Sequence, residues 1–84
     1  MAELITPLKH IGVITSGDCN SLTGPGTYYL SGEQTISNGP AQSLYGLLFS
    51  ISSHAAVFQI CSLYTLKAFY RIKWGSDWTS WTQL

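Results

Sequence analysis

The sequence predicts an all-β domain: a small antiparallel meander sheet around an aromatic core, with little or no helix. Three observations carry that expectation. The stretches 45–52 and 67–74 alternate with period two in aromatic and β-branched company, which is the pattern of strands with one face buried. Clusters of Gly, Ser, Asn and Asp interrupt the apolar runs at short intervals, as turns between strands do. No stretch shows the three-to-four-residue periodicity of an amphipathic helix.

Taken in order, residues 1–10 contain Pro7 and little periodicity, and are expected to form a lead-in or linker to a domain spanning 11–84. Ile11 to Ile14 fits a short strand. Thr15 to Ser21 is a run of turn formers in which Asp18 and Asn20 are able to fold back onto the backbone. Leu22 then plugs down, and Thr23-Gly24-Pro25-Gly26 reverses the chain into a strand over Thr27 to Leu30, ended by Ser31-Gly32-Glu33. The Gly24–Gly26 spacing is no phosphate loop, because a strand rather than a helix follows it. A polar loop runs through Asn38-Gly39-Pro40.

From Tyr45 the chain places Tyr45, Leu47, Phe49 and Ile51 on one face and Gly46, Leu48, Ser50 and Ser52 on the other. A turn at Ser52–Ala55 leads to an antiparallel partner over Ala56 to Ser62. The C-terminal stretch holds all three tryptophans. Ala68, Tyr70, Ile72 and Trp74 fall on one side, and Lys67, Phe69, Arg71 and Lys73 on the other. Gly75-Ser76-Asp77 closes a hairpin, and Trp78 to Leu84 is the expected returning strand.

Composition narrows the function classes. With 84 residues the core is marginal, so either aromatics, at 13% of residues, make it dense or other copies complete it. Charged residues make up only 10% and the net charge is zero. So weakly charged a surface, rich in Ser and Thr, is easier to explain if part of it is buried against identical neighbours. Four basic residues supply no phosphate-neutralising patch, so no nucleic-acid partner is expected. No apolar run spans a bilayer, so no membrane partner is expected either. The start lacks the basic-then-apolar pattern of a signal peptide, so no signal peptide is expected. Cys19 and Cys61 lie far apart and in no metal-ligand spacing with His10 or His54. They read as reduced thiols acting as small apolar groups, with a disulfide as the open alternative. No metal or cofactor is expected.

Asp18-Cys19-Asn20-Ser21-Leu22, followed by Pro25-Gly26-Thr27-Tyr28-Tyr29, resembles the opening motif of the pyocin-knob family. Gly46-Leu47-Leu48, Gln59-Ile60, Tyr70-Arg71 and the closing Trp78-Thr79-Ser80-Trp81-Thr82-Gln83-Leu84 continue the match over roughly residues 11–84. The resemblance implies a β-rich module of a bacteriophage tail fibre or phage-tail-like bacteriocin, trimeric and concerned with attachment to a host surface. It also implies that Tyr70, Arg71, Trp81 and Leu84 close the fold. Cys19 stands where that family prefers leucine, which favours a buried apolar thiol. Lys67-Ala68-Phe69 replaces the family's glycine-led turn.

Catalysis finds little support in the residues. Ser52, Ser53 and Cys61 lie near His54, but no acid is placed to orient that histidine. Glu3, Asp18, Glu33 and Asp77 form no evident carboxylate pair for glycoside hydrolysis. Carbohydrate binding is better supplied, because rings stack on sugar faces while neighbouring polar groups bond the hydroxyls. The candidate contacts are Trp74, Asp77, Trp78 and Arg71, the arginine for an anionic sugar or a stacked ring. The expected function is a non-enzymatic virion tail-fibre module. It would attach to a bacterial surface polysaccharide or build the fibre tip, with other tail proteins and its own copies as partners. The alternative is a free-standing lectin-like module outside a virion.

Overall fold

The computed structural model describes residues 9–33 and 35–84, so the expected lead-in lies, up to residue 8, outside the described residues. The strands are β1 (His10–Ile14), β2 (Gly17–Asp18), β3 (Gly26–Glu33), β4 (Ile36–Ser37), β5 (Ser43–Ser53), β6 (Ala56–Leu63), β7 (Ala68–Trp74), β8 (Asp77–Trp78) and β9 (Thr82–Gln83). The helical content described is one 3-10 turn at Cys19–Ser21. The all-β expectation is borne out. β3, β5, β6 and β7 form the antiparallel meander.

The meander is not the whole topology. β1 lies parallel to β3 at one edge of the main sheet, and β2 pairs with β4 as a separate parallel two-stranded sheet. Parallel neighbours need a crossover rather than a hairpin. The turn-rich segment 15–25 is that crossover, and it lies over one face of the sheet. Its entry is fixed by Asp18, whose carboxylate accepts the Asn20 backbone N–H at 2.8 Å and caps the 3-10 turn.

The core lies between crossover and sheet. Cys19 and Ile36 come down onto Tyr28, Leu30, Leu44, Leu48, Cys61 and Leu63, with Leu22, Phe69 and Trp81 at the margin. This core is aliphatic and thiol with a single ring, where the sequence suggested an aromatic one. The covering layer is thin and loop-built, so it accommodates medium side chains close to the sheet and leaves the large rings at the rim.

The crossover covers the less apolar face of the sheet. Cross-strand pairing aligns Tyr28, Leu48, Cys61 and Phe69 in one row beneath the crossover, and Gly26, Ser50, Gln59 and Arg71 in the next. The more apolar set, Leu47, Phe49, Ile51, Phe58, Ile60, Tyr70, Ile72 and Trp74, occupies the opposite face. On β7 the buried residue is Arg71, at 4% exposure, while Trp74 is 71% exposed.

Two local features fix the meander. A Cβ at Gly46 would run into the Ser62 carbonyl oxygen, so β5 and β6 approach as they do only because this residue is glycine. The turn into β7 is closed by Leu66 N–H to Leu63 O at 3.0 Å and Leu63 N–H to Lys67 O at 2.9 Å, with Leu66 at a φ of 67°. That turn holds a bulky residue in the left-handed region.

Candidate functional site

The C-terminal strand does not return regularly. Lys73 pairs with Trp78, but Tyr70 pairs with Thr82, so the register shifts by one residue between them. Ser80 and Trp81 together oppose Arg71, which is a β-bulge. Thr79 repairs part of the ladder: its N–H donates to Ile72 O at 2.8 Å and its Oγ1 accepts from Ile72 N–H at 2.9 Å. The bulge has a chemical consequence. Residues three apart on a regular strand point to opposite faces, whereas here Trp78 and Trp81 both face Arg71.

The Arg71 guanidinium carbon lies 3.7 Å from the Trp78 ring centroid and 4.5 Å from that of Trp81. Cation–π attraction of this kind is strengthened where water is excluded. Arg71 Nε donates to Gln59 Oε1 at 2.8 Å, and Gln59 Nε2 donates to Cys19 O at 3.0 Å and Leu22 O at 2.9 Å. Burial draws the Arg71 pKa below its ordinary value, an effect opposed by the nearby acidic groups. At neutral pH the guanidinium remains charged. Lys73 Nζ lies 5.6 Å from the Trp78 centroid.

A second chain of bonds ties the crossover to the same rings. Trp81 Nε1 donates to Asn38 O at 2.9 Å, and Asn38 Nδ2 donates to Asp18 Oδ1 at 2.9 Å. Asn38 has a φ of 61°, a conformation asparagine tolerates better than most residues. The bonds from Asn38 and from the Asn20 backbone hold the Asp18 carboxyl below the ordinary aspartate pKa.

Between the two chains opens a cleft of about 390 Å³, lined by Asn20, Asn38, Gly39, Arg71, Trp78, Thr79, Ser80 and Trp81. An adjoining hollow of about 460 Å³ over Ile36 and Asn38–Gln42 shares Asn38 and Gly39 but contains no ring. Of these two, the first cleft brings aromatic surface together with convergent hydroxyl and amide groups. Beside it Arg71 Nη2 and Asn20 Oδ1 are enclosed without a protein partner. The first requires an acceptor and the second a donor, the two roles a hydroxyl group combines.

The four sequence candidates separate. Arg71 and Trp78 meet in the cleft. Trp74 lies on the opposite face, beside a hollow of about 260 Å³ shared with Ile51, Phe58 and Ile72. Asp77 pairs with Trp74 at the hairpin and is exposed. Of the residues expected to close the fold, Arg71 and Trp81 do so, but Leu84 is 70% exposed and Tyr70 sits on the open face near Phe58. Asn20 and Asn38 were read only as turn and loop residues, because their place beside the rings depends on the crossover. The three-residue spacing of Trp78 and Trp81 was the available signal for the bulge.

Among the described residues, the other reactive groups stand apart from this cleft. Cys19 and Cys61 are free and fully buried, with burial pushing their pKa values to about 11 and about 12. Ser53 Oγ and His54 Nδ1 stand 2.9 Å apart where β5 ends and the turn begins, and no carboxylate orients the ring among the described residues. Nor do three His, Cys, Asp or Glu side chains gather among the described residues as a metal site would require.

No protein-family model matches the sequence, and no curated protein matches it. A solved structure does match: a C-terminal portion of the P. aeruginosa R1 pyocin fibre, with a TM-score of 0.76 and 24% identity over 87% of this chain. The fold is similar to that of a pyocin-fibre segment. The resemblance drawn from the motifs is thus borne out at the level of the fold. The match spans 21% of the pyocin-fibre chain, so the pyocin-like fold here corresponds to about one fifth of that longer polypeptide.

Proposed function

We propose that this chain is a non-enzymatic module of a phage-type tail fibre, and that it attaches to a bacterial surface glycan through the Arg71–Trp78–Trp81 cleft. One observation carries the proposal: the bulge turns two indoles onto one arginine and places Asn20, Asn38, Thr79 and Ser80 around them. Half-buried rings with adjacent hydroxyl and amide groups suit a saccharide, which offers an apolar face and a fringe of hydroxyls. The pyocin-fibre fold supports placement in a virion tail, with other tail proteins and identical copies, as a trimer, for partners. The non-enzymatic reading is supported by Asp18, whose carboxylate is engaged by two hydrogen bonds and held away from general-acid range.

The test is a titration of the protein with purified lipopolysaccharide and cell-wall polysaccharide from candidate hosts. Saturable binding, weakened at least tenfold by Trp78→Ala with the circular dichroism spectrum retained, is the expected result. Absence of saturable binding across a broad bacterial glycan array would overturn the glycan assignment. A role in building the fibre tip draws separate support from the apolar rows on the opposite face of the sheet.

A further inference from the structure

The face of the main sheet turned away from the crossover has no covering layer in the chain described. Tyr29, Leu47, Ile51, Phe58, Ile72 and Trp74 are all exposed on it. Pairing makes the patch continuous: Val13, Tyr29 and Leu47 form one row, Phe49, Ile60 and Tyr70 a second, and Ile51, Phe58 and Ile72 a third. None of these three rows carries Asp, Glu, Lys or Arg, and His10 joins the second at its β1 end through Thr27. Glu33 and Asp77 are on the same face but outside the rows, at the end of β3 and beside Trp74.

We infer that identical copies of this chain pack against one another through this apolar face, leaving the Arg71 cleft pointing outward. This specifies the surface for the self-association in the fibre reading above, and it does not depend on glycan binding. The area argues for it. Five strands about 4.8 Å apart, over a length of about eight residues, give a footprint on the order of 600 Å². That is near the roughly 800 Å² per partner of a standard stable interface and at the upper end of patches that monomers leave exposed.

The lack of charge in the three rows favours a copy of the same chain as occupant. They meet their copies without any like-charge pair, and their backbone groups are already bonded within the sheet. Sheet faces of this character pack about 10 Å apart with interdigitating side chains. Alternation along β7 completes the geometry, because Arg71 and Ile72 necessarily point to opposite sides. Burying the face that carries Ile72 and Trp74 therefore leaves the cleft free. Trp74, a sugar-contact candidate by sequence, is reassigned to the interface between copies.

Sedimentation velocity on the 84-residue chain, from about 1 to 200 μM, compared with Ile72→Lys and Leu47→Lys, tests the inference. The expected result is an oligomer for the parent and at least a tenfold weaker association for both variants. A parent that stays monomeric throughout would overturn it. So would an oligomer indifferent to both lysines, although self-association through another surface would then stand. A second readout uses the unmodified chain: Trp74 emission should shift to longer wavelength on dilution, and Trp74→Phe should abolish that shift. An emission spectrum independent of concentration would count against the interface even if a lysine variant failed to fold. Glycan titrations of the same samples report separately on the cleft.

Discussion

Arg71 and Gln59 face each other across β7 and β6, joined by a 2.8 Å bond from Arg71 Nε to Gln59 Oε1. The same glutamine donates to the Cys19 and Leu22 carbonyls. One side chain thus ties the crossover to the sheet and aligns the arginine under its two indoles. Gln59→Leu would leave two carbonyls and the Arg71 Nε–H unpaired in a buried site. At about 1–3 kcal/mol for each unsatisfied group, a loss of roughly 3 kcal/mol or more is expected. Gln59→Glu should also destabilise, since it keeps an acceptor for Arg71 but loses both donors. Chemical denaturation measures both, and a loss below about 1 kcal/mol would mean the crossover is held by other contacts.

Trp81→Ala removes one of the two rings over Arg71 and the donor to Asn38 O. Losing one cation–π contact and one hydrogen bond should cost about 2 kcal/mol. Near-ultraviolet circular dichroism, sensitive to indole packing, should change with it. An unaltered spectrum and stability would show that Trp81 does not help tie the crossover to the sheet.

Leu66 is 95% exposed and held at a φ of 67°. Its side chain contributes almost no burial, while the left-handed conformation costs a leucine about 1–2 kcal/mol that glycine does not incur. Glycine loses more conformational freedom on folding, which offsets part of the gain. Leu66→Gly should therefore raise stability by roughly 0.5–1 kcal/mol, seen as a higher thermal midpoint.

The buried thiols set an alkaline limit. Their ordinary pKa is 9.0, raised by burial to about 11 for Cys19 and about 12 for Cys61. The unfolded chain therefore loses these protons first as pH rises. The stabilising contribution is fully present below pH 9 and is lost progressively between about 9 and 12. Cys61→Ala should flatten that decline. Disulfide-exchange reagents should label neither thiol at pH 8 until the protein unfolds.

The sequence shows the meander plainly but not its covering layer. Alternation at Tyr45–Ser52 and Ala68–Trp74 located β5 and β7 because adjacent side chains on a strand must take opposite faces. It did not show which face would be covered, since that depends on the crossover from residues 15–25, whose course is set by long-range bonds from Gln59 and Asn38. Hydropathy alone favours burying Leu47, Phe49 and Ile51, and the single chain buries Leu48 and Ser50 instead. Arg71 and Trp78 were legible as candidate contacts through composition. Their separation from Trp74 follows from alternation, and the recruitment of Trp81 follows from one inserted residue.

The three indole N–H resonances offer the most direct test of where a glycan binds. Heteronuclear NMR of the protein titrated with a binding bacterial polysaccharide fragment follows Trp74, Trp78 and Trp81 separately. Saturable shifts at Trp78 and Trp81, with Trp74 unmoved, are the result expected for the Arg71 cleft. Shifts at Trp74 alone would contradict it and return the contact to the open face of the sheet.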